Sequence, residues 1–298
     1  MATEVESTTE PTKLEESSMT TTNTPTLTPP ENYTPILPAP LNDKQKAILT
    51  ELETYVESIL LPEDDAYYSH ERAWVTEACL KRYLRASKWH INDAKQRIKY
   101  TLEWRRDYKP DQIDMEEMIE ENLTGKMYLH GFDKYGRPIL VLRPGYENTK
   151  AGPSQVRNVV FWFEKAITLM PENVETITIL VDFNKTSART SPGLGIAKEF
   201  MHVLGSHYPE RLGLACVING PWYFWTFFKL IGNFIDPVTK EKIQFVNLLE
   251  PEKVANKKQW VNLDTFIDVP QLEIDYGGKS HFVYEHKVYW DVLSKMKL

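Results

Sequence analysis

Apolar residues recur along this chain with two different periods, and the change from one to the other divides it. From Asn42 to about Tyr108 the period is helical. Ile48, Leu52, Tyr55 and Ile59 recur at helical spacing and predict a first helix. A second segment, HERAWVTEACLKRYLRASKW, sets Trp74, Ala78 and Tyr83 among charges. A third, INDAKQRIKYTLEWRRDY, starts with Asn92 as its N-cap and carries Ala94, Ile98 and Leu102 on one face. Lys109-Pro110 ends it, because a proline disfavours helical geometry in the residue before it.

After about residue 115 the period alternates between two and 3.6. Strands are predicted at MYLHGF, PILVLRP, TITILVDF, LACVING and KIQFVN. Helices are predicted at Ser154–Leu169, on Val156, Val159, Val160, Phe163 and Ile167, and at Leu194–Ser206, on Ile196, Phe200, Val203 and Leu204. Strands rich in Val and Ile that alternate with helices predict an α/β fold with a mixed, mostly parallel sheet covered by helices. The predicted division is a tail over 1–40, a helical module over 41–114 and an α/β lobe over 115–298. The tail is rich in Thr, Pro, Glu and Ser. It buries too little apolar area to offset its ordering entropy, so it reads as disordered, solvated and open to phosphorylation.

Composition narrows the functional classes. The 298 residues are 42% hydrophobic and 26% charged, enough for a sizeable core. Lys and Arg number 35 against 42 Asp and Glu, a net charge of −7 that argues against a nucleic-acid binder. Cys79 and Cys216 form neither a disulfide framework nor a metal set, and suit a reducing compartment. The N-terminus lacks the basic and apolar regions of a secretory signal. The nearest approach to a membrane span is GPWYFWTFFKLIGNFIDP, Gly220 to Pro237. Its apolar run is broken by Thr226, Lys229, Gly232 and Asn233, too short and too polar to cross a bilayer. A core helix, an interfacial element and the wall of a lipid cavity remain open for it.

Catalytic motifs are missing. Gly193 and Gly195 form a GxG, but Lys198 occupies the third glycine position and a ten-residue loop separates the pair from its strand. There is no GxxxxGK[ST], no GxSxG elbow and no HExxH among the seven His. Asp182 ends a strand without an obvious His partner, the position of a turn cap.

Five ordered motifs carry a resemblance: RYLRASKWHINDA, FDKYGRPIL, SHYPERLGLACVINGPW, FIDPVTKEKI and IDYGG. Between about Lys44 and Trp290 the chain resembles the CRAL-TRIO lipid-binding family, and more narrowly its fungal phosphatidylinositol transfer proteins of the azole-tolerance and sterol-binding branch. That resemblance implies a helical N-terminal module on a lobe that encloses one lipid cavity behind a gate helix. A lipid with about 30 CH₂ groups at roughly 0.8 kcal/mol each costs about 24 kcal/mol to expose to water, so only an apolar cavity offsets its extraction.

By the same resemblance the aromatic stretch is the gate and the membrane contact. It comprises Trp222, Phe224, Trp225, Phe227, Phe228, Ile231 and Phe234, which point too many ways for one packed face, with Gly232 and Asp236-Pro237 as hinge and stop. The inositol headgroup is expected at Glu210 and Lys242, with Arg211, Thr239, Asp133 and Pro138 beside them, because a phosphate with a ring of hydroxyls needs a cation and an acceptor. Ser87 stands where many members carry a second Arg. Members that also carry phosphatidylcholine use hydroxyl residues where this chain has Leu129, Leu140, Ile177 and Ile179. The aliphatic replacements imply poor phosphatidylcholine binding and a sterol as the second ligand.

The implied protein is a non-enzymatic carrier without metal or cofactor. It is cytoplasmic and peripheral on endoplasmic reticulum, lipid droplets or plasma membrane, and it presents phosphatidylinositol to lipid kinases. A membrane-docking adaptor or lipid sensor with a slowly exchanging lipid remains the alternative.

Overall fold

The computed structural model describes residues 21–187, 194–232, 235, 237–254 and 257–296. The chain opens with four helices: α1 (Asp43–Glu57), α2 (Tyr68–Trp74), α3 (Glu77–Ala86) and α4 (Ile91–Tyr108). Asn42 caps α1 with a reciprocal pair. Its side chain accepts the Gln45 N–H at 2.9 Å, and Gln45 accepts the Asn42 N–H at 3.1 Å. Leu49, Leu52 and Val56 form the buried stripe of α1, while Ile48, Tyr55 and Ile59 flank it half-buried. The segment predicted as one helix around Trp74 and Tyr83 is two. Thr76 leaves helical geometry to accept the Cys79 N–H at 3.1 Å, so α3 starts with its own cap. Helix α4 starts one residue before Asn92, with His90 at the N-cap and no side-chain cap bond; Asn92 is helical. Its end falls at Lys109, which turns left-handed before Pro110.

A short helix α5 (Ile119–Asn122) leads into the lobe: β1 (Met127–Phe132), β2 (Pro138–Leu142), α6 (Pro153–Thr168), β3 (Ile177–Asp182), α7 (Leu194–His207), β4 (Leu212–Ile218), α8 (Trp222–Ile231), α9 (Pro237–Glu241), β5 (Ile243–Val246) and α10 (His286–Ser294). The sheet order is β1-β2-β3-β4-β5, with β1 antiparallel and the rest parallel. The mixed, mostly parallel α/β sheet is therefore as predicted. The N-terminal helices have their own apolar cluster around Leu52, Tyr83, Ile98 and Leu102, and the lobe has a larger one around Trp162, Tyr128 and Tyr289. The two units meet where Trp104 of α4 stacks on His207 at 4.1 Å, and where Arg105 donates to Glu164 of α6 at 2.9 Å.

The described part of the predicted tail, residues 21–40, is not a solvated coil. It is a strap across the lobe. The Thr22 N–H donates to the His281 carbonyl at 3.0 Å, Gly131 donates to the Thr26 carbonyl at 2.9 Å, and Thr34 donates to the Lys134 carbonyl at 3.0 Å. The Tyr33 ring lies over Gly136, whose φ of 76° and lack of a Cβ both serve the turn between β1 and β2. The strap meets the outer edge of β1 at Gly131, while the Tyr289 and Gln271 side chains take the Leu129 and Phe132 N–H groups on the same edge.

Candidate functional site

The sheet register gathers the aliphatic residues named for a second ligand. Leu129 pairs with Leu140, Leu140 with Ile179, Ile179 with Ala215, and Ala215 with Ile243. Laterally paired residues share a sheet face, so this is one apolar row across all five strands. Ile177 lies two residues before Ile179 on β3 and shares its face. Leu129, Leu140 and Ile177 are fully buried. Ile179, Val181 and Ala215, in the middle of the sheet, are only half-buried.

Helix α8 covers this face over β4 and β5. Phe224 and Phe228, one turn apart, stack with ring centres 5.6 Å apart, and both contact Phe245. Trp225 packs 4.7 Å from Phe245 and 5.7 Å from Trp260. Trp222 turns outward at 79% exposure, and Leu230 at 58%. The helix thus has one packed face, and its exposed residues mix Trp222 and Leu230 with Thr226 and Lys229. The side chains of Phe227 and Ile231, and Phe234 and Asp236 as a whole, lie outside the described residues. Gly232 caps α8 in ordinary right-handed geometry, φ −57°, so its backbone conformation does not itself demand glycine.

The start of α8 is held by a residue that the sequence analysis missed. Asn219 is left-handed, with φ 52°. Its backbone N–H donates to the Val246 carbonyl, and its side chain accepts the Leu248 N–H at 2.9 Å and donates to Asn184 at 3.1 Å. One side chain so ties together the loops after β3, β4 and β5. A non-glycine residue at positive φ is the signature, and Asn tolerates it best, but its sequence neighbours do not reveal it.

Glu210 and Lys242 immediately precede β4 and β5, two adjacent parallel strands, and this brings them together. Lys242 Nζ lies 3.9 Å from Glu210 Oε2, with both side chains a quarter to a third exposed. The Lys242 carbonyl accepts from Ala215 N–H, so the pair adjoins the apolar row through the backbone. Thr239 is one turn before Lys242 and accepts its N–H through the main chain.

Arg211 faces inward. It donates to the Glu175 carbonyl at 2.8 Å, and burial, then the neighbouring Arg82, pushes its guanidinium down to about 10. Arg85 donates to the Glu175 carboxylate at 2.5 Å, and Arg82 lies 3.8 Å from it. Two guanidiniums thus meet the Glu175 carboxylate and a third, Arg211, its main-chain carbonyl, and among the described residues Arg211 has no carboxylate within 4 Å. Such a cluster is suited to an anion. Arg82 and Glu175 were not singled out in the sequence analysis. Nearby, the buried Ser87 hydroxyl has no hydrogen-bond partner. On its other side Arg85 lines a crevice of about 340 Å³ with Lys81, Trp89 and the strap's Pro38 and Pro40.

Asp133 and Pro138 are placed differently from the expectation. Asp133 is buried and saturated: it accepts from the Tyr135 and Arg137 N–H groups at 2.9 Å and from Thr178 at 2.6 Å. Burial raises its pKa. Its visible work is to build the turn before β2, which Pro138 begins opposite Phe132. Asp182 accepts its own turn's Asn184 N–H at 2.9 Å, as expected of a cap. Among the described residues no group of His, Cys, Asp and Glu could hold a metal ion, and no helix is long and apolar enough to cross a membrane.

Comparison with known proteins bears on this arrangement. The CRAL/TRIO domain matches residues 122–278, and the CRAL/TRIO N-terminal domain matches residues 48–99. A CRAL-TRIO domain-containing protein of Schizosaccharomyces pombe is 47% identical over 76% of this chain and 21% of that protein. The phosphatidylinositol transfer protein PDR17 of Saccharomyces cerevisiae is 33% identical over 86% of this chain and 75% of that protein. The phosphatidylinositol transfer protein CSR1 of Eremothecium gossypii is 29% identical, over 78% of this chain and 54% of its own length. The chain therefore spans about a fifth of the first of these relatives and about half of the third. The crystal structure of Sfh5 matches with a TM-score of 0.61 at 18% identity, over 85% of this chain and 93% of that one, a likeness of fold.

Proposed function

Because the chain belongs to the CRAL/TRIO domain family, we propose that it is a non-enzymatic carrier that extracts phosphatidylinositol from membranes and exchanges it for an apolar second ligand, a sterol. The observation that carries the reading is the junction of two opposite environments. The Glu210–Lys242 pair supplies a cation and an acceptor for an inositol phosphate, and Arg211, next to Glu210 in the chain, belongs to a cluster with Arg82 and Arg85 at Glu175. Directly beside it begins an aliphatic row, partly open in mid-sheet, for acyl chains or a sterol ring system.

Within this reading Lys242 meets the phosphate, and Glu210 accepts from inositol hydroxyls or holds Lys242. Arg211 and Thr239 complete the headgroup site, and the excess positive charge around Glu175 compensates for Ser87. Asp133 and Pro138 then act by shaping the turn rather than by touching lipid. Leu129, Leu140, Ile177 and Ile179 offer no hydrogen bond to a choline phosphate, and each lost bond costs about 1–3 kcal/mol. Phosphatidylcholine is therefore a poor ligand.

Helix α8 is the gate. Its Phe224, Trp225 and Phe228 face seals the site, and Trp222 and Leu230 meet the bilayer. The division into a helical unit over 41–114 and a lobe over 115–298 is supported by the two apolar clusters, with Trp104, Tyr108 and Ile113 reaching into the lobe's. The protein acts in the cytoplasm, peripherally on endoplasmic reticulum, lipid droplets or plasma membrane, and delivers phosphatidylinositol to lipid kinases.

The test is mass spectrometry of the lipids that co-purify after incubation with fungal membranes. Phosphatidylinositol and sterol with little phosphatidylcholine are expected. Phosphatidylcholine as the main ligand refutes the reading of the aliphatic row.

A further inference from the structure

The strap contains three Thr-Pro pairs within twelve residues: Thr24-Pro25, Thr28-Pro29 and Thr34-Pro35. Its exposure follows a period of two. Asn23, Pro25 and Leu27 face the lobe, with Pro25 buried, while Thr22, Thr24 and Thr28 face solvent. The alternation is written in the sequence as T-N-T-P-T-L-T-P, in a segment that is irregular apart from a bridge between Thr22 and Phe282.

The anchors are few and lie to either side of Thr28. Upstream, the Thr22 N–H donates to the His281 carbonyl at 3.0 Å and the Thr22 carbonyl accepts from Val283 at 2.9 Å, Asn23 Nδ2 donates to the Val283 carbonyl at 2.8 Å, the Thr26 N–H donates to His130 Nδ1 at 3.2 Å, and the Thr26 carbonyl accepts from Gly131 at 2.9 Å. Downstream, the Tyr33 ring covers Gly136, and Thr34 donates to Lys134. Between them, residues 27–32 make no main-chain hydrogen bond to the lobe among the described residues. Thr28 therefore sits at the crest of a short span, with its hydroxyl side exposed and Pro29 half-exposed behind it. Pro25 is buried beneath Thr24, and Thr34 is pinned by its own N–H.

We propose that Thr28 is a phosphorylation site for a proline-directed protein kinase, and that phosphate there lifts the strap from the edge of β1. The kinase moves the γ-phosphoryl of ATP to the Thr28 oxygen; the hydroxyl proton is released and ADP leaves. The product carries nearly two negative charges and three acceptor oxygens two residues from the Thr26 anchor. A hydrated dianion pulls the span toward water, against a hold of two hydrogen bonds at Thr26 and the half-burial of Leu27. His130 does not add to the release: burial pushes its pKa down to about 4, so the ring stays neutral and its Nδ1 remains an acceptor of the Thr26 N–H. The sequence property that makes the span a substrate, Thr next to Pro in an exposed irregular segment, also keeps its hold on the lobe light.

The test needs no lipid and so stands apart from the carrier reading. The full chain is treated with ATP and a purified proline-directed serine/threonine kinase, phosphates are mapped by mass spectrometry, and amide exchange is followed at Gly131. Phosphate on Thr28 ahead of Thr24 and Thr34, with Gly131 exchange at least tenfold faster, is the expected result. Thr28→Ala should leave Gly131 as slow as in the untreated protein. No phosphate on Thr28 under conditions that phosphorylate a peptide spanning 22–36 would overturn the site. Phosphate on Thr28 with unchanged Gly131 exchange would overturn the release.

Discussion

Lys242→Ala should separate ligand recognition from stability, and the geometry of its ion pair sets the stability side. In the folded protein Lys242 Nζ is 3.9 Å from Glu210, and both side chains are partly in water. An exposed pair at that distance contributes under about 1 kcal/mol, so the substitution should lower Tm by less than roughly 4 °C. On the proposed carrier reading, the same ammonium would make a charge-assisted hydrogen bond of about 1.5–3 kcal/mol to the inositol phosphate. Its loss corresponds to a roughly ten- to 150-fold weaker affinity for phosphatidylinositol. The assay is transfer of labelled phosphatidylinositol between donor and acceptor vesicles, run beside sterol binding and a thermal melt. Phosphatidylinositol transfer should collapse while sterol binding and Tm stay near the parent's. Glu210→Ala should do the same, and the double variant should lose less than the sum, because the two side chains serve one headgroup. Equal loss of both ligands would refute separate determinants, and unchanged transfer would remove Lys242 from the site altogether.

Ile179→Thr places one hydroxyl at the half-buried centre of the apolar row; competition binding should show more phosphatidylcholine and less sterol, at a stability cost near 1 kcal/mol. Trp222→Ser should leave Tm unchanged, since the ring is 79% exposed, and should weaken co-sedimentation with phosphatidylinositol vesicles several-fold. Glu273 is buried against Tyr128, which donates to both its oxygens, and burial pushes its pKa up to about 7. A carboxyl whose folded pKa exceeds its unfolded value of 4.5 contributes stability below 4.5 that is lost as pH rises to about 7. Urea melts of Glu273→Gln should therefore show a flatter pH profile between 4.5 and 7, and a gain of roughly 1–3 kcal/mol at pH 8.

Some of this site is legible without coordinates. Each strand of the sheet is a run of Val, Ile and Leu bounded by turn residues, and β1 and β3 fall where the pattern puts them, because strand periodicity is local. Helix ends are less secure. Thr76 ends one helix by capping the next, a choice between two hydrogen-bond schemes of similar energy. The strap was misread for a different reason. Its Thr-rich composition argues for disorder, and the period of two that argues otherwise matters only once a sheet edge lies beside it.

By itself the sequence determined the order of elements, the α/β class, the family and the identity of the Glu210–Lys242 pair, since all of these rest on local spacing or on motif likeness. Tertiary structure alone decided which groups share a site. Glu175 meets Arg85 across 90 residues of chain, Asn219 joins three loops, and strand register lines up Leu129, Leu140 and Ile179. The physical reason is that periodicity states which face a residue takes relative to its neighbours in the chain. Only the closing of long loops into a sheet states which other residues that face will meet.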